Sequence, residues 1–158
     1  MKLLLFLLSL LPLTLKATPL NPAPSAIIVV TDSLVGRYDG ALTRVHMNED
    51  KAPIAGVSSV VSELSDGLLR IQIPPFKVGS MPGAVTVDAR GIKVGQDGKF
   101  GQKCKDVVKI KIMGLPMSYD GEIVGRFDGG RLIYTVTVRG KIAFKSFVNI
   151  TTFEGQRS

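Results

Sequence analysis

The sequence contains no tryptophan, one histidine, one cysteine and three tyrosines among 158 residues. Each scarcity removes a class of function. With only Tyr38, Tyr119 and Tyr134 beside seven phenylalanines, there are few aromatic platforms on which a dedicated single-strand nucleic-acid binder would stack bases, and no nucleic-acid partner is expected. His46 and Cys104 alone cannot supply a closed nitrogen and sulfur metal site, so no metal and no other cofactor is expected. Carboxylates such as Glu49 and Asp50 could hold calcium, but the polar stretch His46-Met47-Asn48-Glu49-Asp50 reads as a solvated loop. A lone cysteine excludes an intrachain disulfide. Cys104 has no acid–base partner near it in sequence and reads as an inert, buried or half-buried thiol.

Catalytic signals are equally sparse. Asp39, Asp120, Glu122 and Asp128 are the candidate acid–base residues, and all fall outward on strands or in turns. Glycosidase-type chemistry needs two carboxylates converging across a cleft. No catalytic residue is assigned, and the chain reads as non-enzymatic.

At the start, Lys2 precedes a 13-residue apolar run, Leu3 to Leu15, and then Ala17. As a helix that run is too short for a hydrocarbon layer about 30 Å thick, so residues 1–17 read as a cleavable secretory leader rather than a transmembrane anchor. The leader has no cysteine to accept a lipid. A secreted or periplasmic protein is expected, with a proline-rich linker over 18–25 (TPLNPAPS) and one domain over 26–158. The net charge of +7 falls to +5 once Lys2 and Lys16 leave with the leader. The densest basic cluster, Lys99, Lys103, Lys105, Lys109 and Lys111, reads first as a solvated outer face or protected edge and second as an anion-binding patch.

What the chain does have is alternation. Val35–Val45, Ile54–Leu64, Leu68–Ile73, Ala84–Val94, Val107–Ile112 and three long runs within Ser118–Glu154 all read as strands, separated by glycine- and proline-bearing turns. Gly36 and Gly40 flank Tyr38 on its own face, which predicts a bend or a close backbone approach. In Ala84–Val94 the apolar phase switches at Gly91, the sequence form of a β-bulge that bends a sheet toward closure. Val108, Ile110 and Ile112 are expected to oppose Val107, Lys109 and Lys111. In the last strand, entered by a turn at Gly140, Ile142, Phe144, Val148 and Ile150 are expected to face inward against Lys141, Lys145, Asn149 and Thr151. Eight strands with no helical segment outside the leader imply an all-β, antiparallel up-and-down barrel or a strongly curved sandwich. VGRYDG at 35–40 recurs as VGRFDG at 124–129, as easily by coincidence as by duplication.

Taken together, Gly36-Arg37-Tyr38-Asp39-Gly40, Phe76-Lys77-Val78-Gly79 with Met81-Pro82-Gly83, Tyr119-Asp120-Gly121 and Phe153-Glu154-Gly155 resemble the bacterial calycin-like β-barrel domain family of secreted proteins. The resemblance covers about Val35 to Gly155. It implies an eight-stranded lipocalin-like barrel that binds a lipid or another small hydrophobic molecule, and it supplies no catalytic residues. Gly36-Arg37-Tyr38 stands where lipocalins have Gly-x-Trp.

Two readings of function follow. In the first, a small hydrophobic ligand occupies a barrel interior lined by Tyr38, Leu69, Ile71, Val85, Val87, Ile123, Phe127, Leu132, Tyr134, Val136 and Phe144, with Gly121, Gly125, Ala89 and Ser146 leaving room. In the second, the interior is filled, and the barrel is a scaffold whose basic face meets a partner or an anionic surface.

Overall fold

A computed structural model describes residues 31–142 and 144–158. The expected leader, the linker, the domain start at Ala26 and the side chain of Ile142 lie outside the described residues. Nine strands follow in order: β1 (Gly36–Met47), β2 (Asp50–Lys51), β3 (Ile54–Glu63), β4 (Leu69–Phe76), β5 (Ala84–Ile92), β6 (Lys99–Ile112), β7 (Leu115–Asp128), β8 (Arg131–Ile142) and β9 (Lys145–Arg157). β2 is a two-residue arm folded back on the end of β1. The other eight pair antiparallel with their sequence neighbours, and β9 returns to β1 from Tyr38↔Arg157 to Met47↔Asn149. The result is a closed up-and-down barrel, as the alternation implies. Helix is limited, among the described residues, to single 3-10 turns at Thr31–Ser33 and Ser65–Gly67.

Closure brings β9 hard against Gly40. A side chain there would place its Cβ 2.0 Å from the Glu154 carbonyl oxygen, which is the close approach predicted beside Tyr38. The phase switch at Gly91 is also a bulge. Leu69 pairs with Ile92 and Ile71 with Ala89, so β5 carries one extra residue, and Gly91 takes the left-handed φ of 71° that the bulge requires.

A second irregularity lies in β6 and was not foreseen. Cys104 pairs with Gly121 and Val108 with Tyr119, so four steps on β6 face two on β7. Asp106, at the crest with φ 50°, donates its backbone N–H to Asp120 Oδ1 at 2.9 Å. The bulge turns both Val107 and Val108 inward, which corrects the outward position expected for Val107.

The last hairpin also differs from expectation. β8 runs through Gly140 to Ile142, which pairs with Lys145. Directly opposed residues on antiparallel strands share a face, so the inward Tyr134, Val136 and Val138 bring Phe153, Thr151 and Asn149 inward with them. Val148 and Ile150 therefore take the other face. Placing the turn at Gly140 put the whole strand one residue out of phase, and a one-residue slip exchanges the two faces. Phe144 sits in the turn itself with φ 69°, exposed to solvent rather than lining the interior, and Ser146 is exposed too.

Candidate functional site

Ten of the eleven residues expected inside, namely Tyr38, Leu69, Ile71, Val85, Val87, Ile123, Phe127, Leu132, Tyr134 and Val136, are brought together in one buried cluster, and only Phe144 falls outside it. Leu69, Ile71, Ile123 and Leu132 are fully buried. The room opened by the inward glycines is taken by neighbours. A methyl at Gly125 would lie 2.5 Å from Tyr134 Cβ and 2.7 Å from Phe100 Cζ, and one at Gly121 would lie 2.8 Å from Val138 Cγ2. Polar groups inside are satisfied by one another. Ser59 donates to the Gln72 carbonyl at 3.2 Å and lies 3.0 Å from the Tyr134 hydroxyl, whose pKa burial pushes upward, while Thr151 donates to Asn149 at 2.8 Å. Ser59 was missed in sequence because the serine-rich β3 shows no clear apolar phase.

The seam between β5 and β6, and the outer face beside it, carry more polar chemistry. β5 and β6 form ladder pairs only from Ala84↔Lys111 to Val87↔Val108. Beyond that the Gln102 side chain bridges them, its nitrogen donating to the Gly91 carbonyl at 2.9 Å and its oxygen accepting from the Lys93 amide at 3.1 Å. Beside this seam Asp88 points outward yet is almost wholly covered, because three cations lie over it. Arg70 is bidentate at 2.7 and 3.0 Å, Arg90 approaches to 3.0 Å and Lys109 to 3.4 Å. Hydrogen bonds from Arg70, above all, hold the Asp88 carboxyl far below the usual carboxylate range, against the opposing effect of burial. A surface depression of about 380 Å³ is lined here by Asp88, Arg90, Lys105, Asp106 and Lys109. Asp88 could have been read as outward from its place between Val87 and Ala89; its burial could not, since β4 supplies Arg70.

Two further depressions lie on the described surface. Where β7–β8 pairing stops at Gly121↔Val138, about 450 Å³ opens between Lys103, Lys105, Asp120, Glu122, Thr137 and Arg139. At the end of the barrel where β7 turns into β8, a cleft of about 540 Å³ has Leu34, Tyr38 and Phe127 as its apolar members, ringed by polar residues including Asp128, Arg131 and Arg157. Of the four candidate carboxylates, Asp120 and Glu122 share one depression, two residues apart on one strand face. Asp39 is occupied by Ser58 and Arg37 at 2.6 and 2.7 Å, and Asp128 lies at the end cleft. Cys104 is buried, and burial raises its thiol pKa, which suits an inert role. Among the described residues no group of three His, Cys, Asp or Glu could hold a metal ion.

Comparison of the chain with family models, curated proteins and solved structures gives no match.

Proposed function

We propose that the chain is a non-enzymatic barrel scaffold whose outer face, at the β5–β6 seam, binds an anionic group presented by a partner. The observation that carries this reading is the convergence of Arg70, Arg90 and Lys109 on the single carboxylate of Asp88, with Lys105 on the same depression. One carboxylate cannot neutralise three cations. It orders them, however, so the side-chain entropy that a ligand would otherwise have to remove is already lost. A phosphate, sulfate or carboxylate in this depression meets Arg90 and Lys109 already held in place by Asp88, and with Lys105 beside them the cations still outnumber the carboxylates of Asp88 and Asp106. The packed interior supports the scaffold half of the reading. Retention on immobilised heparin tests it. Arg90→Glu with Lys105→Glu should move elution to markedly lower salt, and unchanged elution would sink the seam as the site.

A second reading is favoured by the end cleft, which reaches Tyr38 and Phe127: a small hydrophobic molecule enters there. Native mass spectrometry after incubation with a lipid extract separates the two readings. A bound mass lost in Phe127→Trp, with heparin retention intact, would favour the cleft.

A further inference from the structure

The large apolar side chains that stand most exposed among the described residues are Met113, 90% exposed, Leu115, 70% exposed, and Phe144, fully exposed. All three lie at the tips of two hairpins, β6–β7 and β8–β9. In an up-and-down barrel every second connection falls at the same end, so these two tips share it with the β1–β3 and β4–β5 connections. Ile112 pairs with Leu115, which leaves Met113 and Gly114 as a two-residue turn with φ of 49° and 83°, and Phe144 has φ 69° in the companion turn. Two-residue turns of this kind are normally filled by Asn or Gly, because a bulky side chain at positive φ is strained. Here the strained positions hold methionine and phenylalanine, pointing away from the core.

Along the two hairpins the charge next to the tips in sequence has one sign. Residues 107–119 and 129–153 contain no aspartate or glutamate. Lys111, Arg139, Lys141 and Lys145 flank the tips, all exposed and none ion-paired among the described residues. The acids of the neighbouring connection are already engaged, Glu49 by Lys51 and Asp50 by His46.

We infer that this end of the barrel docks on an anionic lipid surface, with Met113, Leu115 and Phe144 entering the boundary of the acyl chains and the four cations lying at headgroup level. Apolar side chains supply burial and basic residues supply attraction to acidic lipid, and the two act together at a membrane interface. Their long stems let the lysines reach headgroups while the tips go deeper. A second copy of the chain fits this end poorly, since a two-fold contact would set the same four cations against themselves. The surface is distinct from the β5–β6 seam and does not depend on it.

Flotation with phosphatidylcholine vesicles, with and without about one-third phosphatidylserine, tests the inference. Binding is expected to the mixed vesicles, much weaker binding to phosphatidylcholine alone, and partial release by salt. Met113→Asn with Phe144→Asn keeps residues that tolerate left-handed backbone, so the barrel stays folded while binding should fall about tenfold or more. Lys111→Gln with Lys145→Gln should remove the preference for phosphatidylserine. The inference is overturned if the wild type ignores both vesicle types, if the tip variant binds as the wild type does, or if sedimentation shows that the tips hold copies of the chain together.

Discussion

The rings of Tyr38 and Phe127 meet across the barrel with centroids 5.9 Å apart and planes inclined by 59°. They are the aromatic residues of VGRYDG and VGRFDG, the one pair of six-residue stretches in the chain that echo each other, on strands that are not neighbours. Phe100 stacks against Phe127 from a third strand at 5.6 Å, and the Tyr38 hydroxyl donates to the Leu34 carbonyl at 2.8 Å. The three rings close one end of the core beneath the 540 Å³ cleft. The echoed residues therefore serve one packing unit, whatever their origin.

Removing that closure should be costly. Phe127→Ala deletes a largely buried ring touched by two others, and large-to-small changes of this kind cost about 3–5 kcal/mol through lost burial and the cavity left behind. Urea denaturation should show the midpoint falling with little change in slope. A loss below about 1 kcal/mol would mean that the ring covers a space the neighbours do not need it to fill.

Inside the barrel the Ser59 proton goes to the Gln72 carbonyl, so Tyr134 must be the donor in the 3.0 Å contact between the two hydroxyls. That order predicts an asymmetry. Ser59→Ala strands the buried Tyr134 hydroxyl and should cost about 1–3 kcal/mol, whereas Tyr134→Phe leaves only an acceptor unfilled and should cost about 1 kcal/mol. The double variant should cost less than the sum of the singles. Strict additivity would show that the two groups do not communicate.

The architecture was legible because alternation is a direct imprint of the pleat. Leu132, Tyr134, Val136 and Val138 could be assigned a face from spacing alone, and the Gly91 bulge from a change in that spacing. The misreading of β9 has a definite cause. Gly140 looked like a turn but stands in the strand, where the Phe147 and Tyr119 rings need its missing side chain, at 2.6 and 3.1 Å from where a Cβ would be. A glycine kept for packing cannot be told from one kept for turning without its neighbours. Asp88 was opaque for the same reason, since what buries it arrives from β4 and β6.

Asp88 should give the fold an acid-labile component. Its folded pKa is depressed, so its contribution stands in full above the unfolded value, about 3.9, and is lost as the pH falls below it. Asp88→Asn should flatten that acid limb in thermal melts. At neutral pH it should cost roughly 2 kcal/mol, less than the 3–5 of a fully buried pair because Arg90 and Lys109 reach solvent. The same change frees the three cations, so retention on heparin should rise. An unaltered acid limb would show that other carboxylates set it.

Gln102 holds two strands together where their ladder has stopped, and its two contacts can be separated chemically. Gln102→Leu removes both the donor to the Gly91 carbonyl and the acceptor for the Lys93 amide. Gln102→Glu keeps an acceptor for Lys93 but, once ionised, cannot donate to Gly91. The Lys93 amide should therefore exchange its hydrogen much faster in the leucine variant and near the wild-type rate in the glutamate variant, while both lose the Gly91 contact. Amides on the far wall, such as Val136 between β7 and β9, should be unaffected in either protein, because that part of the barrel keeps its ladder on both sides. Equal exchange at Lys93 in all three proteins would mean that the seam is held by the packing of β5 against β6 and not by the amide that spans it.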